Sequence, residues 1–216
     1  MVTIEVGGRP LALLAQKAAF LPDSHTLLIA DAHIGKAVSF RKLGVPVPRG
    51  TTSETLSVLT ALVSRLAARR IVFLGDFLHS ERSHAPSTLG AVARWRAAHP
   101  DLDLVLVRGN HDDRAGDPPK ALEFTVVDEP LHDGDLALCH HPRPIAGTYV
   151  LAGHIHPCVS LGGRAHDHLR LPCFHIGTQV GVLPAFGSFT GMHAVRSEPG
   201  ERLFVVADDS VTELPT

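Results

Sequence analysis

Several features are scarce in this 216-residue sequence, and each scarcity excludes a class of protein. The three cysteines lack paired spacing, which argues against a disulfide framework and favours a reducing compartment, so we expect a cytoplasmic protein. The first residues contain no basic stretch followed by an apolar run, which argues against a signal peptide. No apolar run approaches the roughly 18 residues of a membrane helix. The formal net charge of −2 offers no basic surface overall, so contact with nucleic acid requires a local patch.

The composition is otherwise that of a globular protein with one unusual enrichment. With 44% hydrophobic residues, the chain can bury one sizeable core, and we expect a single domain over residues 1–216. The enrichment is in histidine, with 15 residues in the chain. Many of these histidines stand next to Gly, Asp or Pro rather than within apolar periodic segments.

The first half of the chain alternates predicted strands with predicted helices. A hairpin is expected through Gly7 and Gly8, and continuous apolar strands are expected at 26–30, 71–74 and 102–107. Apolar residues at helical spacing predict one helix at 54–69, after a capping box with Thr51 as the N-cap, and another at 87–98. Residues 34–49 are expected to form a loop. This loop carries four positive charges, at Lys36, Arg41, Lys42 and Arg49. They suit either a basic rim that binds phosphates beside the site or a solvated loop.

The second half has a different pattern. Short apolar segments are separated by turns rich in Gly, Pro and Asp, and no convincing helical spacing occurs. This pattern predicts an antiparallel second sheet packed on the first. The predicted strands are 124–127, 136–139, 148–151, 169–176, 188–195 and 203–207.

Residues of the types that bind metals follow five of the predicted strands. Strand alternation would place Asp31 and His33 on the same side, and it would direct only one of the adjacent His140 and His141 inward, for which we choose His140. Gly75 and Gly109 are expected to let the chain turn before a ligand. Nitrogen and oxygen ligands without cysteine suit Mn²⁺, Fe²⁺ or Zn²⁺. The candidates are Asp31, His33, Asp76, Asn110, His140, His154 and His156.

Seven ligands exceed the needs of one ion, and a shared carboxylate, for which Asp76 is the natural candidate, can bridge two. Their order resembles that of the calcineurin-like metallophosphoesterases, within which the bacterial ligase-associated DNA damage response endonucleases are the most similar group. This resemblance implies a four-layer α/β/β/α sandwich of two packed mixed sheets flanked by helices. The strings that carry the resemblance to this group are Asp31-Ala32-His33-Ile34-Gly35-Lys36, Gly44-Val45-Pro46-Val47-Pro48, His140-His141-Pro142 and Pro184-Ala185-Phe186-Gly187-Ser188-Phe189-Thr190-Gly191.

The resemblance also implies roles for these residues. Two divalent ions are expected, manganese first, with iron or zinc as alternatives. Hydroxide between the ions would attack phosphorus, and His111 would protonate the leaving oxygen or hold the phosphate. Asp112 would either orient His111 or serve as a turn residue. Lys36, Arg108 and His79 are candidates for substrate contact. The first ion would take Asp31, His33, Asp76 and His156, and the second Asp76, Asn110, His140 and His154.

The expected activity is hydrolysis of phosphodiester bonds in DNA, as an endonuclease that works beside a ligase, a helicase and an exonuclease in repair. No membrane partner is expected. One alternative is a small-molecule phosphomonoesterase or nucleotide hydrolase, because the same centre serves several ester classes. Another is a non-catalytic scaffold for repair proteins. The complete set of ligands and His111 argue against the scaffold, since a degenerate member would be expected to have lost some of them.

Overall fold

The computed structural model contains two packed sheets. It describes residues 1–42, 44–47, 50–162 and 168–215, with the side chains of Lys42 and His168 excepted. The first sheet follows the chain order, with antiparallel pairing from its first to its fourth strand and parallel pairing from its fourth to its seventh. Its strands are β1 (Val2–Val6), β2 (Arg9–Leu14), β3 (Ala18–Leu21), β4 (Thr26–Ala30), β5 (Arg70–Leu74), β6 (Asp103–Val107) and β7 (Thr125–Val127).

The second sheet is mixed rather than antiparallel. Its order is β14-β11-β12-β13-β10-β9-β8, with β15 paired to β12 and β16 to β15. The central β10 is parallel to both of its neighbours, a direction that strand-forming residues do not reveal in a sequence. The strands are β8 (Leu131–Asp133), β9 (Leu136–Leu138), β10 (Tyr149–Ala152), β11 (Pro157–Gly162), β12 (His168–Ile176), β13 (Val180–Val182), β14 (His193–Ala194), β15 (Arg202–Ala207) and β16 (Ser210–Glu213).

Two assignments in the second half of the sequence were wrong. Residues 124–127 were expected in the second sheet, but β7 pairs with β6 in the first sheet. The segment 188–195 was expected to be a strand, but only His193–Ala194 is extended and paired. In the rest of that segment, turns replace the strand, and the backbone of Phe189 has a left-handed φ of 60°. The apolar character of this segment therefore has a cause other than sheet formation.

The α-helices of the described residues all precede the second sheet in the chain. Residues 34–49, predicted as a loop, contain α1. The helix predicted at 54–69 begins at Thr51, after Gly50 with a φ of 95° and without a side-chain cap, so the predicted capping box is wrong. It ends at Leu66 because Ala67 takes a left-handed conformation. The helices are α1 (Lys36–Lys42), α2 (Thr51–Leu66), α3 (Pro86–Ala97) and α4 (Asn110–Ala115), with 3₁₀ turns at Glu81–His84 and Lys120–Leu122.

Two apolar layers hold these elements together. Between the first sheet and its helices, Leu59 of α2 and Trp95 of α3 belong to the same cluster as Phe73 of β5. Between the two sheets, Val72 of β5 and Phe174 of β12 share a second cluster. Fully burying one such side chain contributes roughly 1.5–3 kcal/mol, so each layer is a large stabilising term. The predicted pair of packed mixed sheets is confirmed.

The register of the strands determines where the functional residues emerge. Ala30 of β4 pairs with Leu74 of β5, which pairs with Val107 of β6, so these three parallel strands end side by side. In the second sheet, β9 and β10 are also parallel and end together. All three cysteines are free and buried. Among the described residues, no helix is long and apolar enough to span a membrane.

Candidate metal centre

The candidate ligands lie just past the strand ends, in an unusual backbone conformation. Asp31, His33, Asp76, His154 and His156 all have φ between 45° and 73°. The left-handed region is uncommon for residues with a side chain, costs about 1–3 kcal/mol, and clusters at functional sites. Strand alternation is therefore not what brings Asp31 and His33 together. Instead, the segments after β4 and β5 continue to pair, as the His33 N–H donates to the Asp76 carbonyl oxygen over 2.8 Å.

Two glycines make room for these ligands, and only one of them provides the expected turn. Gly75 has a φ of 80°, as predicted, and a Cβ there would collide with the ring of His140. Gly109 has a φ of −109°, which any residue can adopt, so the predicted turn is wrong. A Cβ at Gly109 would collide with the Asp76 carboxylate and lie 2.9 Å from Cε1 of His140. Gly109 is thus explained by close approach rather than by conformation.

Asp76 stands between two groups of ligand atoms. Its Oδ2 lies 3.8 Å from Nε2 of His33, and its Oδ1 lies 3.6 Å from Nε2 of His140. The side chain is almost fully buried, and Oδ1 accepts the backbone N–H of His111 over 2.9 Å. One carboxylate oxygen thus faces each group. This is the arrangement of a carboxylate that bridges two cations.

The group around His140 consists of atoms that accept hydrogen bonds. Nδ1 of His140 donates its proton to the Leu74 carbonyl oxygen over 3.1 Å, which leaves a lone pair on Nε2. That Nε2 lies 3.0 Å from Oδ1 of Asn110 and 3.0 Å from Nδ1 of His154. His141 lies close by, and His140, His141 and His154 form one group of possible ligand atoms within 4.8 Å of one another. Nδ1 of His141 is 3.1 Å from a carboxylate oxygen of Glu129, and this contact favours His140 as the ligand, which stays a prediction.

The other group combines Asp31, His33 and His156, whose ligand atoms lie within 4.8 Å of one another. Oδ2 of Asp31 accepts the backbone N–H of His154, but its buried Oδ1 has no hydrogen-bond partner among the described residues. Nε2 of His156 lies 3.5 Å from that oxygen, and its Nδ1 donates to the Gly191 carbonyl oxygen. A buried carboxylate oxygen without a partner is costly, and a bound cation would remove that cost. The residues present therefore fit a binuclear metal site.

Burial also sets the charge of the imidazoles in this centre. It lowers the pKa of His33 to about 2, with a further contribution from the Lys36 charge, and lowers the pKa of His79 to about 4. It likewise lowers the pKa of His154. Burial also acts to lower the pKa of His156, but the Asp31 carboxylate outweighs this effect and the net pKa is raised. The lowered pKa values keep the rings of His33, His79 and His154 neutral near pH 7, and a neutral imidazole is the form that binds a metal.

The structure reveals one supporting residue that the sequence analysis missed. Oε2 of Glu129 accepts the backbone N–H groups of both His140 and His141, over 2.7 Å and 2.9 Å. Burial acts to raise the pKa of Glu129, but these bonds and the Arg143 guanidinium outweigh it and lower the pKa to about 2. Glu129 stands 11 residues before His140 and lacks any motif. No signal in the sequence indicated it.

We expect Glu129→Ala to loosen the second half of the centre. Two backbone N–H groups would lose their acceptor, at about 1–3 kcal/mol of unfolding free energy, and metal affinity would fall about 10- to 100-fold. Because the folded-state pKa is depressed, this stabilisation is present above the ordinary value of 4.5 and disappears as the pH falls towards 2. Urea titrations between pH 2 and 7 and calorimetric metal titration would measure both effects. Glu5→Ala, at an exposed position of β1, is the control. An unchanged metal affinity of Glu129→Ala would contradict the role assigned to Glu129.

The remaining candidates are placed as follows. Lys36 and His79 lie beside the centre: the charges of Asp31 and Asp76 act on Lys36, and the His79 ring stacks on His111 at 5.1 Å. Arg108 is instead held by Asp117 and Asp128, which weakens its candidacy for substrate contact. Two positions of the predicted basic rim lie outside the described residues, Arg49 and the side chain of Lys42. In the Gly44–Pro48 string, Pro48 lies outside them.

His111 is oriented by a different group from the one considered in the sequence. Its Nδ1 donates to the His79 carbonyl oxygen over 2.8 Å, and its Nε2 lies 3.9 Å from Oδ2 of Asp76. Asp112 instead accepts the backbone N–H groups of Gly109 and Leu78. Burial raises the pKa of Asp112 to about 6. Asp112 therefore fixes the start of α4 through the Gly109 N–H and does not orient His111.

Comparison with known proteins shows the family of this chain. No protein-family model matches the chain, and no curated protein matches it. Among solved structures, the nuclease MPE of Pseudomonas putida aligns with a TM-score of 0.88 and 44% identity over 99% of each chain. The chain belongs to the calcineurin-like metallophosphoesterase family. This metallophosphoesterase is accordingly a metal-dependent hydrolase of phosphate esters. The E. coli phosphoesterase Yfce aligns with a TM-score of 0.42 and 15% identity, over 88% of this chain and 97% of its own.

Proposed function

We propose that this metallophosphoesterase is a binuclear phosphodiesterase that cleaves DNA internally. The observation that carries the proposal is the position of Asp76, whose two carboxylate oxygens face His33 on one side and His140 on the other. Two bound ions would activate a water and neutralise phosphoryl oxygens. The first ion would be held by Asp31, His33, Asp76 and His156, and the second by Asp76, Asn110, His140 and His154. Manganese is the ion we favour, and rates measured with Mn²⁺, Fe²⁺ and Zn²⁺ would rank the three.

An open cleft beside the centre supports a polymeric substrate. Its volume is about 420 Å³, and it is lined by His79, His111, Arg82 and Arg114, together with Ser80 and Glu81. Both arginines are exposed, and neither forms an ion pair or side-chain hydrogen bond with the residues that the structure describes. Arg108 and Arg143, by contrast, are held by carboxylates. Free guanidinium groups bind phosphates with two parallel hydrogen bonds, so this cleft suits the phosphates that flank the bond to be cleaved.

The first experiment compares a generic diester, the matching monoester and a DNA oligonucleotide, using metal-loaded protein. We expect the diester to be hydrolysed faster than the monoester. The double substitution Arg82→Ala with Arg114→Ala should raise KM for DNA about tenfold and reduce its salt dependence, with little effect on the generic diester. Arg69→Ala is the matched control, since this exposed arginine precedes β5 at the opposite end of the strand from the centre. Faster monoester hydrolysis would favour a phosphomonoesterase, and hydrolysis of neither ester would favour the scaffold.

Within the same proposal, His111 donates a proton to the leaving oxygen. Its side chain is 33% exposed and lines the cleft, with Nδ1 held by the backbone and Nε2 free to reach a substrate. We expect His111→Ala to lower kcat about 10²- to 10⁴-fold and to slow diesters with poor leaving groups more than those with good ones. Metal content, measured by mass spectrometry, should stay unchanged. His132→Ala, at an exposed histidine of β8, is the control. Equal slowing of all diesters would assign His111 to phosphate binding.

The proposed cellular role is DNA repair beside a ligase, a helicase and an exonuclease. Its support is the resemblance of four strings in the sequence to the ligase-associated group. A cytoplasmic location agrees with the three free, buried cysteines, whose thiol pKa values are raised by burial. Deletion of the gene should sensitise cells to DNA-damaging agents. Normal survival of such cells would remove the support for the repair role without affecting the phosphodiesterase.

A further inference from the structure

The segment 188–195, which was wrongly predicted as a strand, directly follows two residues that are hydrogen-bonded to the end of β4 and to the candidate ligand Asp31. The Phe186 N–H donates to the Ala30 carbonyl oxygen over 2.8 Å, and the Gly187 N–H donates to the Asp31 carbonyl oxygen over 3.1 Å. The backbone approach is close, because a Cβ at Gly187 would lie 3.0 Å from that same oxygen of Asp31. The start of the segment is therefore fixed to the residues at the end of β4.

The other end of the segment is fixed to a second candidate ligand. Nδ1 of His156 donates to the Gly191 carbonyl oxygen over 2.9 Å, and the His193 N–H donates to the His156 carbonyl oxygen over 3.0 Å. The residues between Gly187 and Gly191 thus form a short loop between Asp31 and His156. Any side chain that this loop exposes therefore lies beside the group of Asp31, His33 and His156.

The loop exposes an aromatic ring. Phe189 is 49% exposed, although it is a large apolar residue, and its φ of 60° is rare for a bulky side chain. It borders two cavities, one lined by His33 and Lys36 and the other by His156 and Met192. Packing into the core does not account for a half-exposed ring in a strained conformation. Strain of this kind, about 1–3 kcal/mol, is typical of ligand-binding positions.

We propose that Phe189 is a stacking platform for a nucleobase adjacent to the phosphodiester that is cleaved. This inference rests on the proposed function and adds a subsite to it. The cavity beside Phe189 and Met192 has a volume of about 180 Å³. That is smaller than the roughly 300–1,000 Å³ of sites for drug-sized ligands, and it suits one flat ring. A charged phosphate gains little from an apolar ring, whereas every base has a π-face that can stack on one. The stacked base must be unpaired, because a base cannot stack on Phe189 while it remains within a duplex.

The kinetic test uses a single-stranded oligonucleotide and the same oligonucleotide with one abasic residue beside the cleaved bond. We expect wild-type protein to cleave the abasic strand with a KM about tenfold higher, in the range of one stacked base. Phe189→Leu should raise KM for the intact strand by a similar factor and should no longer distinguish the two strands. Phe189→Tyr should restore the discrimination, because it keeps the aromatic face.

A binding test gives a readout other than activity. The chain has one tryptophan, Trp95, which is 7% exposed and donates a hydrogen bond to Thr60. The fluorescence added by Phe189→Trp therefore reports on the loop. On rapid mixing of metal-loaded protein with the intact strand, this added fluorescence should be quenched before cleavage begins, and the abasic strand should quench it less.

Leu169→Ala is the matched control, because Leu169 is an apolar residue of β12 that is 57% exposed and lies towards the far end of the β11–β12 pair from His156. It should leave every measurement unchanged. If Phe189→Leu still discriminates between the two strands while the wild-type protein cleaves diesters, the stacking role of Phe189 is wrong. The proposed phosphodiesterase activity is unaffected by that result. If the wild-type protein cleaves no diester, the proposed function fails, and the stacking platform fails with it.

Discussion

Asp76→Asn should lower kcat for diester hydrolysis about a thousandfold or more and should prevent the binding of two ions. A bridging carboxylate serves both metals, and their contribution of several kcal/mol to the transition state would be lost with it. The substitution is mild for the fold. Asparagine tolerates the left-handed backbone at this position, and its side-chain oxygen can still accept the His111 N–H. The effect should therefore come from the lost charge and ligand atom rather than from unfolding.

Metal content by mass spectrometry and the rise in Tm on adding Mn²⁺ are the measurements for this variant. We expect a smaller metal-dependent rise in Tm, because fewer ions bind the folded state. The matched control is Asp113→Asn, an exposed aspartate of α4 that should change neither metal content nor rate. A variant with full metal content and near-normal activity would contradict the bridging role of Asp76.

Gly109→Ala should lower both the rate of diester hydrolysis and the stability, although it adds a single methyl group. The backbone at Gly109 is acceptable for alanine, so conformational strain contributes nothing. The new Cβ would lie 2.7 Å from the backbone nitrogen of Asp76 and 2.9 Å from Cε1 of His140, so one of the two ligands must move. A displacement of about 1 Å in such a centre costs about 100-fold in rate. Overpacking of this kind also costs about 1–3 kcal/mol of unfolding free energy.

Steady-state rates and urea titrations would measure the two effects. Gly90→Ala in α3 is the control, since alanine is favoured over glycine within a helix by about 1 kcal/mol and a Cβ there meets only the end of the Arg94 side chain, at 3.4 Å. That control should be as active as the wild type and slightly more stable. Normal activity of Gly109→Ala would show that the centre tolerates a shift of these ligands.

The identity of the candidate ligands could be predicted from the sequence, but the reason for their convergence could not. Asp31 and His33 were expected to share a side through strand alternation, yet both lie past the end of β4 with left-handed backbones. Gly109 was recognised for a turn that it does not make. In both cases the residue type was informative while the local conformation was not. Contacts with distant segments maintain the costly left-handed backbones of Asp31 and His33, and the close approach of Asp76 and His140 explains Gly109.

The supporting residues were harder to find than the ligands. Glu129 contacts His140 and His141 through their backbone N–H groups, which every residue except proline has, so its role leaves no pattern in the sequence. Phe189 was part of an apolar segment that resembled a strand, and its exposure depends on Gly187 and Gly191 being held by Asp31 and His156. Arg108 stood next to a motif but is bound by two aspartates, whereas Arg82 and Arg114 are free within the described part of the chain.

The sequence by itself determined three buried strands of the first sheet, β4, β5 and β6, the residues that follow them and hence the chemistry available at the strand ends. Apolar runs and residue types are local properties, and they can be read without knowledge of the fold. Only the tertiary structure decided the direction of the strands in the second sheet and the placement of a cleft and an exposed ring beside the centre. These features depend on contacts between residues far apart in the chain, such as the pairing of His156 with Gly191 and of Glu129 with His140.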